Sequence, residues 1–318
     1  MNEFDIIRHF CSFQTIHRND VLVESGDDCA IVQIPKRHEL AITTDTLVED
    51  VHFPKDTAPY DLGYKSLAVN LSDLAAMGAT PTWVTFALTL DRYDQTWIEE
   101  LARGFFALAT LHEVQLIGGD LTHGPLTITL QAQGILSTGT ALKRSGAKPG
   151  DKIYVSHTLG DAGLALQHVK GTETIPEAYR AEILSRLTRP EPRVALGKKL
   201  RGIANAAIDI SDGLIADLSH ILKKSQVGAT LEIEHLPLSP ALVASISYEK
   251  AIAFALNAGD DYELCFTVPA DKIDALEQVL DASKEPVTCI GTITAEPELK
   301  LLDKGKIYHG HTRGYQHF

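Results

Sequence analysis

The chain has 318 residues, of which 44% are hydrophobic and 22% charged, and its formal net charge is −13 at pH 7. This composition supports ordinary globular cores and excludes wholesale disorder, and the length favours two domains over one. The negative charge argues against nucleic acid or an anionic membrane as a partner. It fits carboxylates that hold cations, although many soluble proteins without that role are equally acidic.

The first half of the chain alternates between predicted strands and helices. Leu67, Leu71 and Leu74 recur at helical spacing, and Gly78 followed by Pro81 is typical of a helix end. The predicted strands are residues 30–34, 40–43, 84–90, 114–117 and 126–134, and the predicted helices are residues 61–77 and 96–112.

The polar, turn-rich segment 143–151 marks the predicted boundary between two domains, residues 1–142 and 143–318. Beyond it, strands are predicted at 152–156, 206–210, 229–234 and 264–268. A short helix opens at Gly160-Asp161, a turn follows at 189–193, and a longer helix runs from Gly213 to about Lys224. The alternation predicts an α/β fold with α+β layers in both domains.

Short acidic motifs recur where predicted strands run into turns. Carboxylates at loop tips beside glycines can converge on divalent cations, and hard oxygen ligands suit Mg²⁺. No Walker A sequence occurs, so the pattern indicates a metal-rich site for phosphoryl transfer that is not a P-loop. The motifs are Gly26-Asp27-Asp28, Thr43-Thr44-Asp45, Asp73 after a serine, Gly118-Gly119-Asp120, Asp209-Ile210-Ser211-Asp212-Gly213 and Gly259-Asp260-Asp261-Tyr262-Glu263.

Each motif also has a purely structural interpretation. Ser211 or Asp212 is placed to cap the helix that follows, and Gly26-Asp27-Asp28 is equally typical of a plain turn. Asp73, in the middle of a helix, reads by itself as a solvated residue. Gly118-Gly119 would let backbone N–H groups approach a phosphate closely. Lys143, Arg144 and His52 are compatible with either ligand contacts or an ordinary charged surface.

The cysteines and the N-terminus indicate a reducing compartment. Cys11, Cys29, Cys265 and Cys289 form no C-x-x-C pair and no zinc-type spacing with histidine. The last three lie in apolar, strand-like runs, so they are expected to be small buried hydrophobic residues. The N-terminal residues lack the apolar core of a signal peptide, and no apolar run approaches a membrane span. The cytoplasm is therefore the expected location.

Taken in order, the motifs resemble those of the thiamine-monophosphate kinase family, within the aminoimidazole-ribonucleotide-synthetase-like superfamily. The resemblance covers nearly the whole chain and rests on GDDCAIV, TTDTLVEDVHF, GYKSLAVNLSDLAAMGATP, LIGGDLT, LKRSGAKPGD, IDISDGL and AGDDYELCF. It implies a two-domain α/β protein whose N-terminal domains pair in a homodimer. It also implies ATP as co-substrate, several Mg²⁺ ions and thiamine monophosphate as acceptor.

The resemblance also implies roles for individual residues, carried over motif by motif. The expected metal ligands are Asp28, Thr43, Thr44, Asp45, Asp73, Asp120, Asp209 and Asp212. The expected ATP contacts are Gly119, Asp120, Arg144 and Ser211, and the expected substrate contacts are His52, Asp260 and Tyr315. Two positions depart from the family: Asp260 replaces a common glutamate, and Tyr315 replaces a common tryptophan or phenylalanine.

The implied reaction is direct transfer of the γ-phosphoryl group of ATP to a phosphate oxygen. No side-chain nucleophile or general base is expected, because a phosphate monoester with a second pKa of about 6 is mostly deprotonated at neutral pH. A sister ATP-dependent synthetase of the superfamily is the main alternative, and a non-enzymatic metal-binding or hydrogenase-maturation-type scaffold is another. Cys11 does not resemble a reactive cysteine, and the chain ends in Phe318 rather than in a cysteine.

Overall fold

The computed structural model describes residues 3–308, except for the side chain of Ser283. The chain divides into two compact units. Unit 1 comprises the residues up to Leu74 together with Ala79–Gly139. Unit 2 comprises Ala75–Gly78 and the residues from Thr140 onward. The fold class is mixed α/β, as the sequence predicts.

Unit 1 is built on a four-stranded sheet with the strand order β3-β6-β4-β5, in which only β4 and β5 run parallel. A two-stranded pair, β1 with β2, precedes it. The elements are α1 (Glu3–Cys11), β1 (Val21–Val23), β2 (Ile31–Val32), β3 (His38–Val48), α2 (Pro59–Ala76), β4 (Thr80–Leu90), α3 (Gln95–Leu111), β5 (Gln115–His123) and β6 (Thr127–Ser137).

Helices cover one face of this sheet, and aromatic packing anchors them there. Phe86 of β4 lies with its ring centroid 5.0 Å from Phe10 of α1 and 5.2 Å from Phe105 of α3. Phe106 adds contacts of 5.5 Å to Phe10 and 4.9 Å to Phe105. Offset and edge-to-face aromatic pairs add to the free energy gained by burying the rings. This face of the sheet is the core of unit 1.

Several strands of unit 1 are longer than the sequence predicts. β3 continues through Thr43-Thr44-Asp45, and β5 continues through Gly118-Gly119-Asp120, so neither motif occupies a turn. The prediction that these motifs follow strand ends is therefore wrong, because pairing of β3 with β6 and of β5 with β4 continues beyond the apolar runs from which the strand ends were predicted. The helix end at Gly78 is confirmed: its φ is +67°, and the N–H of Ala79 bonds to the carbonyl of Leu74 at 2.9 Å.

Unit 2 is built on a seven-stranded sheet with the order β13-β12-β9-β11-β7-β10-β8, in which β9 and β12 are parallel and the other pairs antiparallel. The elements are β7 (Lys152–Ser156), α4 (Asp161–Val169), α5 (Glu177–Thr188), α6 (Val194–Leu200), β8 (Ala206–Asp209), α7 (Leu214–Ser225), β9 (Gly228–Glu232), α8 (Pro240–Ser245), α9 (Tyr248–Asn257), β10 (Leu264–Val268), α10 (Ile273–Ser283), β11 (Val287–Thr294), β12 (Leu299–Asp303) and β13 (Lys306–Ile307).

The core of unit 2 forms where α7 and α9 cover the sheet. Leu214, Leu218 and Ile221 of α7 are fully or almost fully buried against apolar residues of β8 and β10. The strands at 152–156 and 264–268 match their predicted bounds, and the predicted helix from Gly213 begins one residue later. The helices α5, α6, α8, α9 and α10 were not predicted. Of these, α6 and α8 have only 7 and 6 residues, too few to show a clear apolar period, and α5 buries only Ile183 and Leu187.

The cysteine predictions hold in part. All four cysteines are free, and Cys265 is completely buried in β10, as expected. Cys289 is only half-buried in β11. Cys29 lies just before the start of β2 and is exposed, so the expectation of a buried side chain is wrong at Cys29. Among residues 3–308, no helix is long and apolar enough to cross a membrane.

Candidate functional site

The first acidic cluster of unit 1 joins strand β3 to helix α2. The hydroxyl of Thr43 donates a hydrogen bond to the carboxylate of Asp73. Burial, together with the nearby charge of Asp73, raises the pKa of Asp45 to about 7. Thr43, Asp45 and Asp73 therefore lie together, and Asp73 is a half-buried member of the cluster rather than a solvated helix residue. Two carboxylates this close repel each other and favour a bound cation.

Strand alternation separates other predicted ligands from this cluster. Thr44 is exposed, whereas its neighbours Thr43 and Asp45 are half-buried, as expected when successive side chains point to opposite faces. Thr46, two residues from Thr44, points to the same face of β3. Across the sheet, Thr46 pairs with Thr129 of β6, Thr129 pairs with Ala87 of β4, and Ala87 pairs with Asp120 of β5. The side chains of Thr44 and Asp120 thus lie on the open face of the sheet, opposite Asp45.

A second acidic pair of unit 1 lines a cavity of about 770 Å³. Asp28, in the Gly26-Asp27-Asp28 turn, and Asp120, in β5, both border it, as do Gly118 and Gly119. The structure therefore brings the first and fourth sequence motifs together, although 92 positions separate the two aspartates in the numbering. The rest of the lining is largely apolar and includes Phe10, Phe86, Leu88, Ile98, Leu116 and Ile117. An apolar pocket with a few acidic and amide groups is a common form of ligand site.

Strand packing accounts for one glycine of the Gly118-Gly119 pair. A Cβ atom on Gly119 would lie 2.0 Å from the carbonyl oxygen of Phe86 on the parallel strand β4. A Cβ atom on Gly118 would meet nothing closer than a methyl group of Thr85 at 3.8 Å. Gly119 is thus required for the approach of two strands, whatever it contacts in a ligand.

His52 ends a tight turn beyond β3. Its ring Nδ1 accepts a hydrogen bond from the backbone N–H of Val48 at 3.0 Å. The backbone N–H of His52 donates to the carbonyl of Val48 at 2.9 Å. The first contact leaves the proton of the neutral ring on Nε2. The half-buried imidazole is therefore oriented by the backbone and presents an N–H donor on its other edge.

In unit 2, the Asp209–Gly213 loop is held between helix α7 and the Gly259–Glu263 segment. The N–H of Asp260 donates to the carbonyl of Ser211 at 2.9 Å, and the N–H of Tyr262 donates to the carbonyl of Ile210 at 2.8 Å. On the other side, the carboxylate of Asp217 accepts the N–H groups of Ser211 and Asp212, each at 3.0 Å.

This arrangement changes the interpretation of the loop's acidic residues. In the described chain, α7 begins after Gly213, which has no capping side chain, so the predicted cap by Ser211 or Asp212 is not formed. Burial raises the pKa of Asp217 to about 7, and the charge of Asp212 acts in the same direction. The sequence analysis missed Asp217, although its place four residues into the helix is a detectable signal.

Arg144 is placed beside this loop by its own backbone. The carbonyl of Arg144 accepts a hydrogen bond from the Ser225 hydroxyl at 3.3 Å, and the carbonyl of Lys143 accepts one from Ala207 N–H at 2.9 Å. The guanidinium of Arg144 is exposed, and its charge acts on Asp217. Unit 2 therefore brings together four predicted residues, namely Arg144, Ser211, Asp212 and Asp260, next to Asp209 at the end of β8.

The Gly259–Glu263 segment divides its acids between two uses. The carboxylate of Asp260, in a left-handed conformation with φ of 68°, accepts a hydrogen bond from the Tyr262 hydroxyl at 3.0 Å. Glu263 is buried, and both its oxygens accept hydrogen bonds from Arg193, at 2.7 and 2.6 Å. Arg193 was assigned only to a turn in the sequence analysis, but it neutralises this buried acid. Tyr315 lies outside the described residues.

Within residues 3–308, no group of at least three His, Cys, Asp or Glu side chains is arranged to hold a metal by itself. Two pairs of acids act on each other instead, namely Asp45 with Asp73 and Asp217 with Asp212. Mg²⁺ commonly keeps several waters and takes only one or two protein carboxylates together with substrate phosphates. Paired acids with adjacent hydroxyls suit that mode of binding.

Comparisons with known proteins cover almost the whole chain. The N-terminal domain of the family described as AIR synthase related protein matches residues 26–136, and its C-terminal domain matches residues 148–304. A thiamine-monophosphate kinase from Escherichia coli (strain K12) is 47% identical over 318 residues, which is 99% of this chain and 98% of that protein.

Solved structures give the same result. The crystal structure of a thiamine-monophosphate kinase from Stenotrophomonas maltophilia K279a superimposes with a TM-score of 0.88 at 45% identity, covering 97% of this chain and 98% of that one. A structure of AaThiL complexed with AMPPCP and TMP superimposes with a TM-score of 0.78 at 29% identity, covering 99% of this chain and 96% of that one.

Proposed function

Because the chain belongs to the AIR-synthase-related family, we propose that it transfers the γ-phosphoryl group of ATP to thiamine monophosphate, forming thiamine diphosphate and ADP. The observation that carries this proposal is the identity of 47% to a thiamine-monophosphate kinase over essentially the whole of both chains. The alternative function is that of a sister ATP-dependent synthetase of the superfamily, and no contact in the described residues favours it.

The acidic pairs are proposed to bind Mg²⁺ ions that carry the phosphates. In unit 1, Asp45, Asp73 and Thr43 form one such set, and Asp28 and Asp120 border the cavity as a second. The pKa of Asp45, raised by burial and then by the charge of Asp73, supports this assignment, because a cation would stabilise the ionised carboxylate. Thr44 would contribute through its main chain, since its side chain faces the opposite way. In unit 2, Asp209 and Asp212 form the third set.

When bound, the metal ions would neutralise phosphate charge and align the reacting groups. The residues of the chain supply the rest. The guanidinium of Arg144, which is exposed, and the hydroxyl of Ser211 are proposed to contact ATP phosphates, and the cavity bordered by Gly119 and Asp120 is proposed to receive part of the nucleotide. His52, with its Nε2–H donor, Asp260 and Tyr315 are proposed to contact thiamine monophosphate.

No side chain needs to remove a proton from the acceptor. The acceptor phosphate has a second pKa of about 6, so it is already largely in its dianionic, nucleophilic form at neutral pH. What remains is to bring two anionic substrates together in line, and the cations and Arg144 are proposed to do this. We therefore propose direct transfer without a covalent enzyme intermediate.

We further propose a cytoplasmic homodimer. The free state of all four cysteines supports a reducing compartment. The open face of the unit 1 sheet supports self-association, since Ile42 is 58% exposed and Leu40 is 36% exposed on β3.

The direct test is ³¹P NMR of the purified protein with Mg²⁺, ATP and thiamine monophosphate, with controls that omit each component. We expect thiamine diphosphate and ADP to appear in equal amounts, and neither without Mg²⁺. If the folded protein forms no diphosphate product, the kinase proposal fails, and the substrates of the sister synthetases should be tried.

A further inference from the structure

We propose that Asp217 is a positioning residue that sets the place of Ser211 and Asp212 for the phosphoryl-transfer site. This inference rests on the proposed function for the roles of those two residues, and it adds a residue to which no role has been assigned. Asp217 lies in the first turns of α7, after the acidic loop rather than within it.

The contacts of Asp217 tie the loop to the helix at both ends. One carboxylate oxygen, Oδ2, accepts the N–H groups of Ser211 and Asp212, both at 3.0 Å. The N–H of Asp217 itself donates to the carbonyl of Gly213 at 3.0 Å, which is the first bond of the helix. These hydrogen bonds close a small ring that restrains the backbone of residues 211–217.

The environment of Asp217 strengthens its two hydrogen bonds to the loop. Asp217 is only 3% exposed, so little water can compete with the two N–H groups for its carboxylate. The exposed guanidinium of Arg144 attracts the same carboxylate. Asp217 thus orients the backbone of Ser211 and Asp212 and also acts on the cation that is proposed to bind ATP.

Other hydrogen bonds hold the opposite side of the loop, so Asp217 is the residue that restrains the backbone N–H groups of Ser211 and Asp212. The carbonyls of Ile210 and Ser211 accept N–H groups of Tyr262 and Asp260, at 2.8 and 2.9 Å. These bonds hold the carbonyls but not the amide edge of Ser211 and Asp212. A shift of that edge would move the Asp212 carboxylate, and a displacement of about 1 Å at a reacting site costs up to about 100-fold in rate.

The test compares Asp217→Ala, Asp217→Asn and Asp217→Glu with Asp161→Ala. Asp161 is a matched control, because it is 2% exposed in the same unit and its carboxylate also accepts two hydrogen bonds, from Ser239 and Thr158. Asparagine keeps a carbonyl oxygen for both N–H groups, whereas glutamate keeps the charge but displaces the acceptor by one methylene.

Amide hydrogen exchange in the ligand-free protein gives a readout that does not depend on activity. We expect the amides of Ser211 and Asp212 to exchange about tenfold faster in Asp217→Ala and to stay near the wild-type rate in Asp217→Asn and Asp161→Ala. In kinetics corrected for folded fraction, kcat should fall about tenfold or more in the alanine and glutamate variants and the Mg²⁺ concentration for half-maximal rate should rise. Asp217→Asn should stay within about threefold, and KM for thiamine monophosphate should change less than about twofold in every variant.

The proposal is overturned if exchange at Ser211 and Asp212 is as fast in the wild type as in Asp217→Ala. It is also overturned if exchange accelerates while kcat and the Mg²⁺ dependence stay at wild-type values. Should Asp217→Ala fail to fold, the contrast between the asparagine and glutamate variants decides the matter, and equal activity in those two overturns the proposal. A wild-type protein that forms no thiamine diphosphate contradicts the proposed function instead, and the exchange rates then decide the hydrogen-bond geometry separately.

Discussion

At the scale of single residues, the acids of this chain fall into those that are neutralised by the protein and those that are not. Glu263 is fully engaged by Arg193 and Ser156, and it has a structural role. Asp45 instead has a raised pKa and a second acid beside it, and this arrangement underlies its proposed role as a metal ligand. Acidic residues of one protein thus have different uses, which their partners reveal.

Replacing Asp45 with asparagine should reduce activity without reducing stability. We expect kcat to fall about 100-fold or more, the loss typical of removing one electrostatic contact in a transition state. The melting temperature should stay the same or rise, because the substitution relieves repulsion from Asp73. Steady-state kinetics and thermal denaturation measure the two effects.

The exposed neighbour Thr46 provides the control for Asp45, since it lies on the same strand but on the open face. Thr46→Ala should keep activity within about threefold of wild type. An Asp45→Asn protein that is folded and as active as Thr46→Ala would remove Asp45 from the proposed metal ligands.

Stability at acidic pH should depend on His157. Burial, followed by the positive charges of Arg193 and Arg186, lowers the pKa of His157 to about 4, below its ordinary value of about 6.5. A histidine whose folded-state pKa is depressed contributes stability above pH 6.5, and this contribution is lost as the pH falls toward 4. His157→Asn should therefore gain stability relative to wild type between pH 6.5 and pH 4, and asparagine tolerates the φ of 51° at this position.

Urea unfolding at several pH values would measure this effect of His157. The exposed residue His220 offers a control, and His220→Asn should show no such trend. A pH-independent difference between His157→Asn and wild type would contradict the assignment.

At the scale of elements, strand pairing decides which residues of each motif share a face. The sequence predicted the acidic motifs, their order and four of the helices, namely α2, α3, α4 and α7, because periodicity and capping signals are local. It did not predict that β3 and β5 continue through Thr43-Thr44-Asp45 and Gly118-Gly119-Asp120. Pairing partners far along the chain determine strand length, so Thr44 and Asp120 were grouped with residues on the opposite face.

Gly119→Ala should destabilise unit 1 far more than Gly118→Ala. The new methyl group at Gly119 would lie 2.0 Å from the Phe86 carbonyl oxygen, so β4 and β5 must move apart. Overpacking of this kind typically costs about 1–3 kcal/mol. At Gly118, where the nearest atom is 3.8 Å away, the change should cost less than about 1 kcal/mol. Equal melting temperatures for the two variants would contradict the described register.

Arg193→Met should strongly destabilise unit 2, because it leaves the carboxylate of Glu263 buried without its partner. Arg193 and Glu263 are 6% and 4% exposed, and breaking such a buried pair costs about 3–5 kcal/mol. The double variant Arg193→Met with Glu263→Leu should recover most of that loss. Lys300→Met, which breaks an exposed pair with Glu298, should cost less than about 1 kcal/mol in the same unfolding experiment.

At the scale of the whole molecule, each unit carries acids of the sequence motifs, and in unit 2 the exposed Arg144 is close enough for its charge to act on one of them. A net charge of −13 is then no obstacle to binding anionic substrates, since bound cations would invert the local sign. The family and reaction were inferable from the sequence because the ordered motifs span nearly the whole chain. The contact of Arg193 with Glu263 was not, since folding creates it, and Asp217 was overlooked although its place four residues into α7 is a signal in the sequence.

If the proposed homodimer forms through the open face of unit 1, Ile42→Glu should convert it to monomers. A charge at a position that is 58% exposed costs little in the isolated chain but is unfavourable inside an apolar interface. Multi-angle light scattering would give the mass of each form, expected to fall from twice the chain mass of 34.6 kDa to that value. Leu111→Glu, at an exposed leucine at the end of α3, should remain dimeric, and a wild-type monomer would refute the proposal.

The alternation of β3 also bears on how inhibitors of this protein would fare under selection. A compound that binds the side chains of Thr43 and Asp45 contacts residues that cannot be substituted without loss of the proposed activity. A compound seated at the end of the open face, against Thr46 and its neighbour Thr129 of β6, contacts side chains one residue away along the same strand, to which no role is assigned. Side chains there can vary while the acids opposite keep their places, so resistance should arise more readily against the second compound than against the first.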